Sequence, residues 1–175
     1  IKTAEQLSCF AKSINNGTTY QDQYVKQIKD IKLNDNLLSS LNTGITSELH
    51  VWTPGGYYIM NWATSTEDYK SFNGTYNGNN HVISGLYLPD TGATAGTKGL
   101  FGYTNGASIS NLDISDSYIG SRSDENSSFI VGRATGTITL NNIDTLLNNE
   151  IRYNSLVKKN PELAKEVLEL NKQDA

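Results

Sequence analysis

The chain has 175 residues, of which 37% are hydrophobic, and it is rich in Gly, Asn, Ser and Thr. Its formal net charge is −4, and acids outnumber bases between Met60 and Glu150, which argues against a phosphate-binding face and a nucleic-acid partner. No apolar run is long enough for membrane insertion by this segment, and the single cysteine, Cys9, cannot form an intrachain disulfide. The composition favours short strands joined by turns.

The first predicted element is a helix over residues 4–14. Thr3 and Gln6 fit a capping box, in which each side chain binds a free amide of the first turn. Leu7, Phe10 and Ile14 then recur at helical spacing on one face. So short an amphipathic helix is marginal alone, and we expect this face to cover the end of a larger core as an N-terminal cap.

A repeated pattern of Ile and Leu follows the helix. The copies are Ile28–Leu33, Ile83–Leu88 and Ile109–Ile114, with a degraded copy at Ile138–Ile143 and Gly-rich blocks upstream of the last three. A recurring unit of this length is typical of stacked repeats, in which each unit buries its apolar face against the next. We therefore predict a mainly β fold, a parallel β-helix (β-solenoid), over residues 1–143. The inward side chains are predicted to be Ile83, Leu86, Leu88, Ile109, Leu112 and Ile114.

Two segments interrupt the repeats, and a third follows them. Aromatic residues crowd between Glu48 and Ser71, which we interpret as a long loop leaving the stack. A second loop is predicted from Pro89 to Lys98. Residues 144–175 are rich in helix formers, and Pro161 suits the first turn of a helix, so a helical C-terminal tail is expected as a second cap or the start of a further segment.

The repeat region resembles a known family. The segments Phe72–Leu88, Gly99–Tyr103 and Ile109–Ile114, together with the opening Ile1–Tyr20, are similar to the GLUG-motif repeats of bacterial surface and secreted proteins. The resemblance implies a passenger or stalk region of an adhesin, autotransporter or secreted protease, at the cell surface or outside the cell. Its motif residues are structural, so the resemblance assigns no catalytic position. Because the sequence opens at Ile1 without Met, we expect it to be part of a longer chain.

The aromatic segment is the candidate ligand-binding region. Trp52, Tyr57, Tyr58 and Trp62 combine ring faces with polar neighbours, as sugar recognition requires. The alternative is that these rings only seal the core against the protruding loop. Host-cell proteins and glycans are the ligands that we consider.

Catalytic and metal-binding patterns are weak. Cys9, His50 and His81 are too few to predict a zinc site or a nucleophile with its base. Four acids, Asp113, Asp116, Asp124 and Glu125, could hold calcium, but a solvated turn explains them better.

The sequence therefore predicts a non-catalytic extracellular adhesion or scaffold domain, without metal or cofactor, that presents loops from a rigid β-helix. One alternative is a carbohydrate lyase or hydrolase of β-helix type, for which Glu67 and Asp68 are the visible acids. The other is a self-association module acting through the tail.

Overall fold

The secondary structure is dominated by short strands. The computed structural model describes residues 1–61, 63–90, 96–120 and 126–145. The two helices are α1 (Ala4–Asn15) and α2 (Leu37–Thr43). The strands are β1 (Tyr24–Lys26), β2 (Ile31–Lys32), β3 (Tyr57–Asn61), β4 (Thr66–Lys70), β5 (Thr75–Ser84), β6 (Tyr87–Leu88), β7 (Thr97–Lys98), β8 (Phe101–Asn105), β9 (Ser108–Ser115), β10 (Tyr118–Ile119), β11 (Asn126–Ser127), β12 (Val131–Thr135) and β13 (Thr139–Thr145).

Most strands pair in parallel. The largest sheet has five strands in the order β1-β5-β9-β13, and β2 also pairs with β5. Three two-stranded parallel sheets are formed by β10 with β6, β11 with β7 and β12 with β8. The fourth two-stranded sheet is the antiparallel β3–β4 hairpin.

The prediction of a parallel β-solenoid is wrong. The strands of the described residues divide among one five-stranded sheet and four separate pairs, one of them antiparallel. The stretch between the first two copies of the repeat, from Leu33 to Ile83, contains α2 and the β3–β4 hairpin. The fold is therefore mainly β, with several parallel sheets and a helix in mid-chain as well as one near the start.

Helix α1 confirms the predicted N-terminal helix to within one residue. The Thr3 hydroxyl accepts a hydrogen bond from the Gln6 amide at 3.2 Å, and Gln6 Oε1 accepts one from the Lys2 amide at 2.9 Å. The apolar face of the helix, Leu7, Phe10, Ala11 and Ile14, is buried. Phe10 lies among the rings of Tyr20, Phe72, Tyr76 and Phe101, so this face closes one side of the core.

The predicted inward side chains are all buried. Ile83, Leu86, Leu88, Ile109, Leu112 and Ile114 belong to one core cluster. Their pairing does not follow the alignment of the repeat copies, in which Ile83 matches Ile109. In the structure Ile83 pairs with Ile114, and Ile109 pairs with Tyr76.

The difference in register has a local cause. The chain turns at Gly85, whose φ of +75° separates β5 from β6, whereas the matching residues 109–114 run through the single strand β9. A side chain at Gly85 would also collide with the backbone of Asn34. One sequence motif thus occupies two different backbone paths.

A buried polar pair crosses the core beside β5. The Tyr76 hydroxyl donates a hydrogen bond to Gln27 Oε1 at 3.0 Å, and Gln27 Nε2 donates to the carbonyls of Lys29 and Val82. Gln27 and Tyr76 are fully buried, and burial raises the pKa of the Tyr76 phenol. The phenol therefore stays neutral, and each polar atom of the Gln27 amide group has a partner.

Asparagines link the three long strands of the main sheet. Asn111 Nδ2 donates to Asn77 Oδ1 at 3.2 Å, and Asn142 Nδ2 donates to Asn111 Oδ1 at 2.9 Å. Asn111 and Asn142 have φ of 51° and 50°, a conformation that Asn tolerates better than most residues. The ladder fixes the irregular middle of β5, β9 and β13.

The C-terminal part of the chain departs from the predicted boundary. Strand β13 continues to Thr145, so residues 144 and 145 are in a strand and not in a helix. Residues 146–175, where the helical tail was predicted, lie outside the described residues. Residues 91–95 of the predicted Pro89–Lys98 loop also lie outside them. Within the described part of the chain, no helix has the length and apolar character needed to cross a bilayer.

Candidate aromatic binding site

The four predicted site residues fall in different environments. Trp52 is buried in the core, and its Nε1 donates to the Leu100 carbonyl at 3.2 Å. Tyr57 and Tyr58 are half-buried on β3. Trp62 lies outside the described residues. The segment predicted to be a loop thus contains the β3–β4 hairpin, with Trp52 before it as part of the core.

Adjacent tyrosines point to opposite faces of the hairpin. Side chains alternate along a strand, so Tyr57 and Tyr58 cannot share one surface. The Tyr57 hydroxyl donates to the Asp68 carboxylate at 3.2 and 3.3 Å. The Tyr58 hydroxyl donates to Glu67 Oε1 at 2.7 Å. Each face therefore carries its own tyrosine–carboxylate contact across the two strands.

The face that carries Tyr58 forms an aromatic cluster. Tyr69 lies directly opposite Tyr58 on β4, with ring centroids 6.4 Å apart. Tyr103 of β8 approaches both rings, at 5.5 Å from Tyr58 and 5.6 Å from Tyr69. The guanidinium carbon of Arg133 on β12 lies 3.7 Å from the centroid of the Tyr58 ring, a cation–π contact. We call Tyr58, Tyr69, Tyr103 and Arg133 the aromatic site.

The members of the aromatic site differ in exposure. Tyr103 is 5% exposed, and its hydroxyl lies 2.8 Å from Thr135 Oγ1, so it forms the floor. Tyr69 is 48% exposed and offers its ring to solvent. Tyr58 and Arg133 are half-buried between them. The arrangement is an apolar platform with a fixed cation beside it.

Hydrogen bonding controls the charge at the platform. The hydrogen bond to Glu67 raises the pKa of the Tyr58 phenol above its ordinary value, so the ring stays neutral at physiological pH. Glu67 and Arg133 are then the charged groups next to Tyr58. Glu67 raises the pKa of the phenol and Arg133 lowers it, as expected for neighbours of opposite charge, and the effect of Glu67 is the larger one.

The base of the hairpin is held by the end of α1 and by β8. Asn15 Nδ2 donates to the Pro54 carbonyl at 3.0 Å, and Asn15 Oδ1 accepts from the Gly56 amide at 2.7 Å. Gly56 has φ of +83°, and a Cβ there would lie 2.7 Å from the carbonyl oxygens of Lys70 and Tyr103. Only glycine allows this approach, which places Tyr58 against Tyr103.

Sequence reasoning missed three members of the aromatic site: Tyr69, which lies within the aromatic segment, and Tyr103 and Arg133, which lie outside it. Tyr103 and Arg133 pair in register across β8 and β12, and each follows the glycine of a Gly-rich block, Gly102 and Gly132. The matching blocks were visible in the sequence and indicated equivalent positions. Their proximity to the hairpin was not visible, because it depends on where an inserted segment folds back.

Two of the other candidate groups, Asp116 and His81, form contacts within the fold. Asp116 accepts hydrogen bonds from the amides of Leu37 and Leu38, at 2.9 and 3.0 Å, and so binds the start of α2. His81 Nδ1 lies 3.0 Å from Asp30 Oδ1. Cys9 is exposed on α1. Asp124 and Glu125 lie outside the described residues, and in the part that is described no three His, Cys, Asp or Glu side chains are grouped to hold a metal ion.

Comparison with models of protein families, with curated protein sequences and with solved structures gives no match. The similarity to GLUG-motif repeats remains a prediction from the sequence.

Proposed function

We propose that this chain is a non-catalytic extracellular binding domain of a bacterial surface or secreted protein, and that its aromatic site binds a glycan. The observation that carries the proposal is the exposed Tyr69 ring on a platform fixed by Tyr58 and Tyr103. Aromatic rings that are partly exposed to solvent can contact the apolar C–H face of a sugar, while nearby polar groups bind its hydroxyls.

The placement of the acids supports binding over catalysis. Glycosidases use two carboxyl groups that flank one bond, at a separation of about 5–10 Å. Glu67 and Asp68 are neighbours on β4 and therefore point to opposite faces, where Tyr58 and Tyr57 bind them. One sugar on one face would meet only one of these two acids.

The proposal is tested by screening the chain of residues 1–175 on a glycan array and measuring the hits by calorimetry. Tyr69→Ala removes the exposed ring and is expected to weaken the best hit by about tenfold, roughly 1.4 kcal/mol. Tyr24→Ala is the matched control, because Tyr24 is also exposed, on β1, and belongs to no contact of the aromatic site. Thermal melts of both variants check that they fold.

Two results would contradict the proposal. One is the absence of any glycan hit, and the other is an equal loss of affinity in Tyr69→Ala and Tyr24→Ala. Incubation of the hits with the chain is expected to release no reducing ends and no unsaturated sugars. Release of either product would favour the lyase or hydrolase alternative.

A further inference from the structure

The Arg133 guanidinium is held in place without using its hydrogen-bond donors. Its guanidinium carbon lies over the Tyr58 ring, 3.7 Å from the centroid. Within the described residues, Arg133 donates no side-chain hydrogen bond and has no carboxylate within 4.0 Å. A guanidinium has five N–H donors in a planar fork, and stacking on a ring occupies none of them.

A half-buried cation with free donors favours an anionic partner. Stacking restricts the rotation of the side chain, so less conformational freedom remains to be lost when a ligand binds. The N–H fork matches the two oxygens of a carboxylate in a bidentate pair. A planar carboxylate is therefore the ligand group whose geometry best matches the guanidinium.

The neighbouring ring adds a second requirement. Tyr69 and Arg133 each contact the Tyr58 ring, so Tyr58 connects the exposed ring to the guanidinium. A sugar ring that carries a carboxylate offers an apolar C–H face and an anion in one residue. From this juxtaposition we propose that the aromatic site selects carboxylate-bearing sugars, with Arg133 as the residue that determines this specificity; the inference rests on the proposed glycan-binding function.

The negative charge of Glu67 opposes the binding of an acidic sugar at this site. Glu67 is bound by the Tyr58 hydroxyl at 2.7 Å and so lies on the same face of the hairpin as the site. A carboxylate ligand at Arg133 would be repelled by Glu67, in part screened by solvent because this contact is exposed. Removing the charge of Glu67 should therefore strengthen the binding of an acidic sugar more than that of a neutral one.

Two matched sugar pairs test the proposal and identify the source of the carboxylate. Sialyllactose and its carboxyl-reduced derivative differ by a terminal acid, and a hyaluronan hexasaccharide and its carboxyl-reduced derivative differ by the carboxylates of uronate residues within the chain. In at least one pair, the acidic sugar is expected to bind about tenfold more tightly than its neutral partner, as for a charge-assisted bidentate contact. The pair that shows the difference identifies a terminal or an internal acid.

Three variants assign the preference to a residue. Arg133→Gln is expected to abolish the acidic preference, so that the acidic and neutral sugars of a pair bind equally well, and a thermal melt checks that the variant is still folded. Arg133→Lys keeps the charge but loses the planar fork, and is expected to retain only part of the preference. Glu67→Gln is expected to strengthen acidic binding severalfold.

The failure of this inference differs from the failure of the proposed function. Equal binding of acidic and neutral sugars, or an unchanged preference in Arg133→Gln, would overturn the role of Arg133 while leaving glycan binding through Tyr69 intact. Binding of none of the four sugars, together with an empty glycan array, would overturn both.

Discussion

The five-stranded parallel sheet and the β3–β4 hairpin use aromatic and aliphatic residues in different ways. In the sheet, Tyr76, Ile109 and Leu112 are 0% exposed and pack against side chains of neighbouring strands. In the hairpin, Ile59 and Tyr69 are 46% and 48% exposed, and stability comes from cross-strand pairs and from a few contacts to α1, β7, β8 and β12. The sheet therefore determines the fold, and the hairpin is free to present side chains.

Replacing Leu112 by Ala should have the largest effect on the sheet. Leu112 is fully buried and is flanked by neighbouring strands on both sides, at His81 of β5 and at the β13 backbone. The cavity should lower the free energy of unfolding by about 2–5 kcal/mol. Ser110→Ala, on the same strand and half-buried, is the control and should cost less than about 1 kcal/mol. Equal melting temperatures for the two variants would show that the core is not packed around Leu112.

Replacing Gly56 by Ala should loosen the hairpin from β8. The positive φ of Gly56 alone costs a non-glycine residue about 1–2 kcal/mol, and contact with the Lys70 and Tyr103 carbonyls adds to this. Gly106→Ala is the matched control, because its φ of +70° is similar but a Cβ there meets nothing within 4 Å. We expect Gly56→Ala to lower the melting temperature further than Gly106→Ala and to weaken glycan binding as well. Identical effects of the two variants on both measurements would contradict the tight approach.

The two regions also differ in how far the sequence predicts them. Local periodicity was sufficient for α1 and for the burial of Ile83, Leu86 and Ile109, because each signal lies within a few residues. It failed for α2, whose first amides are bound by Asp116, 79 residues away along the chain. Its own flanking residue, Asn36, makes no side-chain cap.

The predictions of strand register and of the site geometry failed for the same physical reason. The strand pairing depends on positive φ at Asn111 and on the turn at Gly85, which a repeated motif does not reveal. The cluster of aromatic residues in the sequence predicted Tyr58 as a site residue. Tyr103 and Arg133 contact it from other strands. Long-range contacts decide these features, and the β-solenoid prediction was wrong because it extended a local repeat across an inserted helix and hairpin.

Lowering the pH should weaken the contact that Asp30, just before β2, makes with β5. Hydrogen bonds from the Val82 amide, and then from His81, lower the pKa of the Asp30 carboxyl. Because the folded-state pKa is depressed, the stabilisation is present above the ordinary Asp pKa of about 3.9 and is lost as the pH falls through the folded value. We expect Asp30→Asn to melt lower than the parent at a pH of about 6 and to differ little at about 2.5. Asp35→Asn, at an exposed surface ion pair with Lys32, is the control, and a pH-independent gap for Asp30→Asn would contradict the assignment.

Two buried threonines should respond in opposite directions to the same small change. Thr104 on β8 is 0% exposed, and its Oγ1 has no hydrogen-bond partner in the part of the chain that the structure describes. Thr97 on β7 is 8% exposed, and its Oγ1 accepts the Tyr58 amide of the hairpin at 3.3 Å. Val has nearly the shape of Thr without the hydroxyl, so the substitution removes an unsatisfied group in one case and an acceptor in the other.

Thr104→Val should therefore leave the free energy of unfolding unchanged or raise it by about 1 kcal/mol, because no partner is lost and a buried hydroxyl is removed. Thr97→Val should lower it by a similar amount, about 1 kcal/mol, because the Tyr58 amide is left without an acceptor. Urea unfolding of both variants measures the two changes under the same conditions. A loss of stability in Thr104→Val would mean that its hydroxyl has a partner, and an unchanged Thr97→Val would mean that the hairpin does not depend on β7. Opposite signs would show that the hairpin is attached to the sheets by polar contacts, whereas the sheet interior around Thr104 gains nothing from a polar atom.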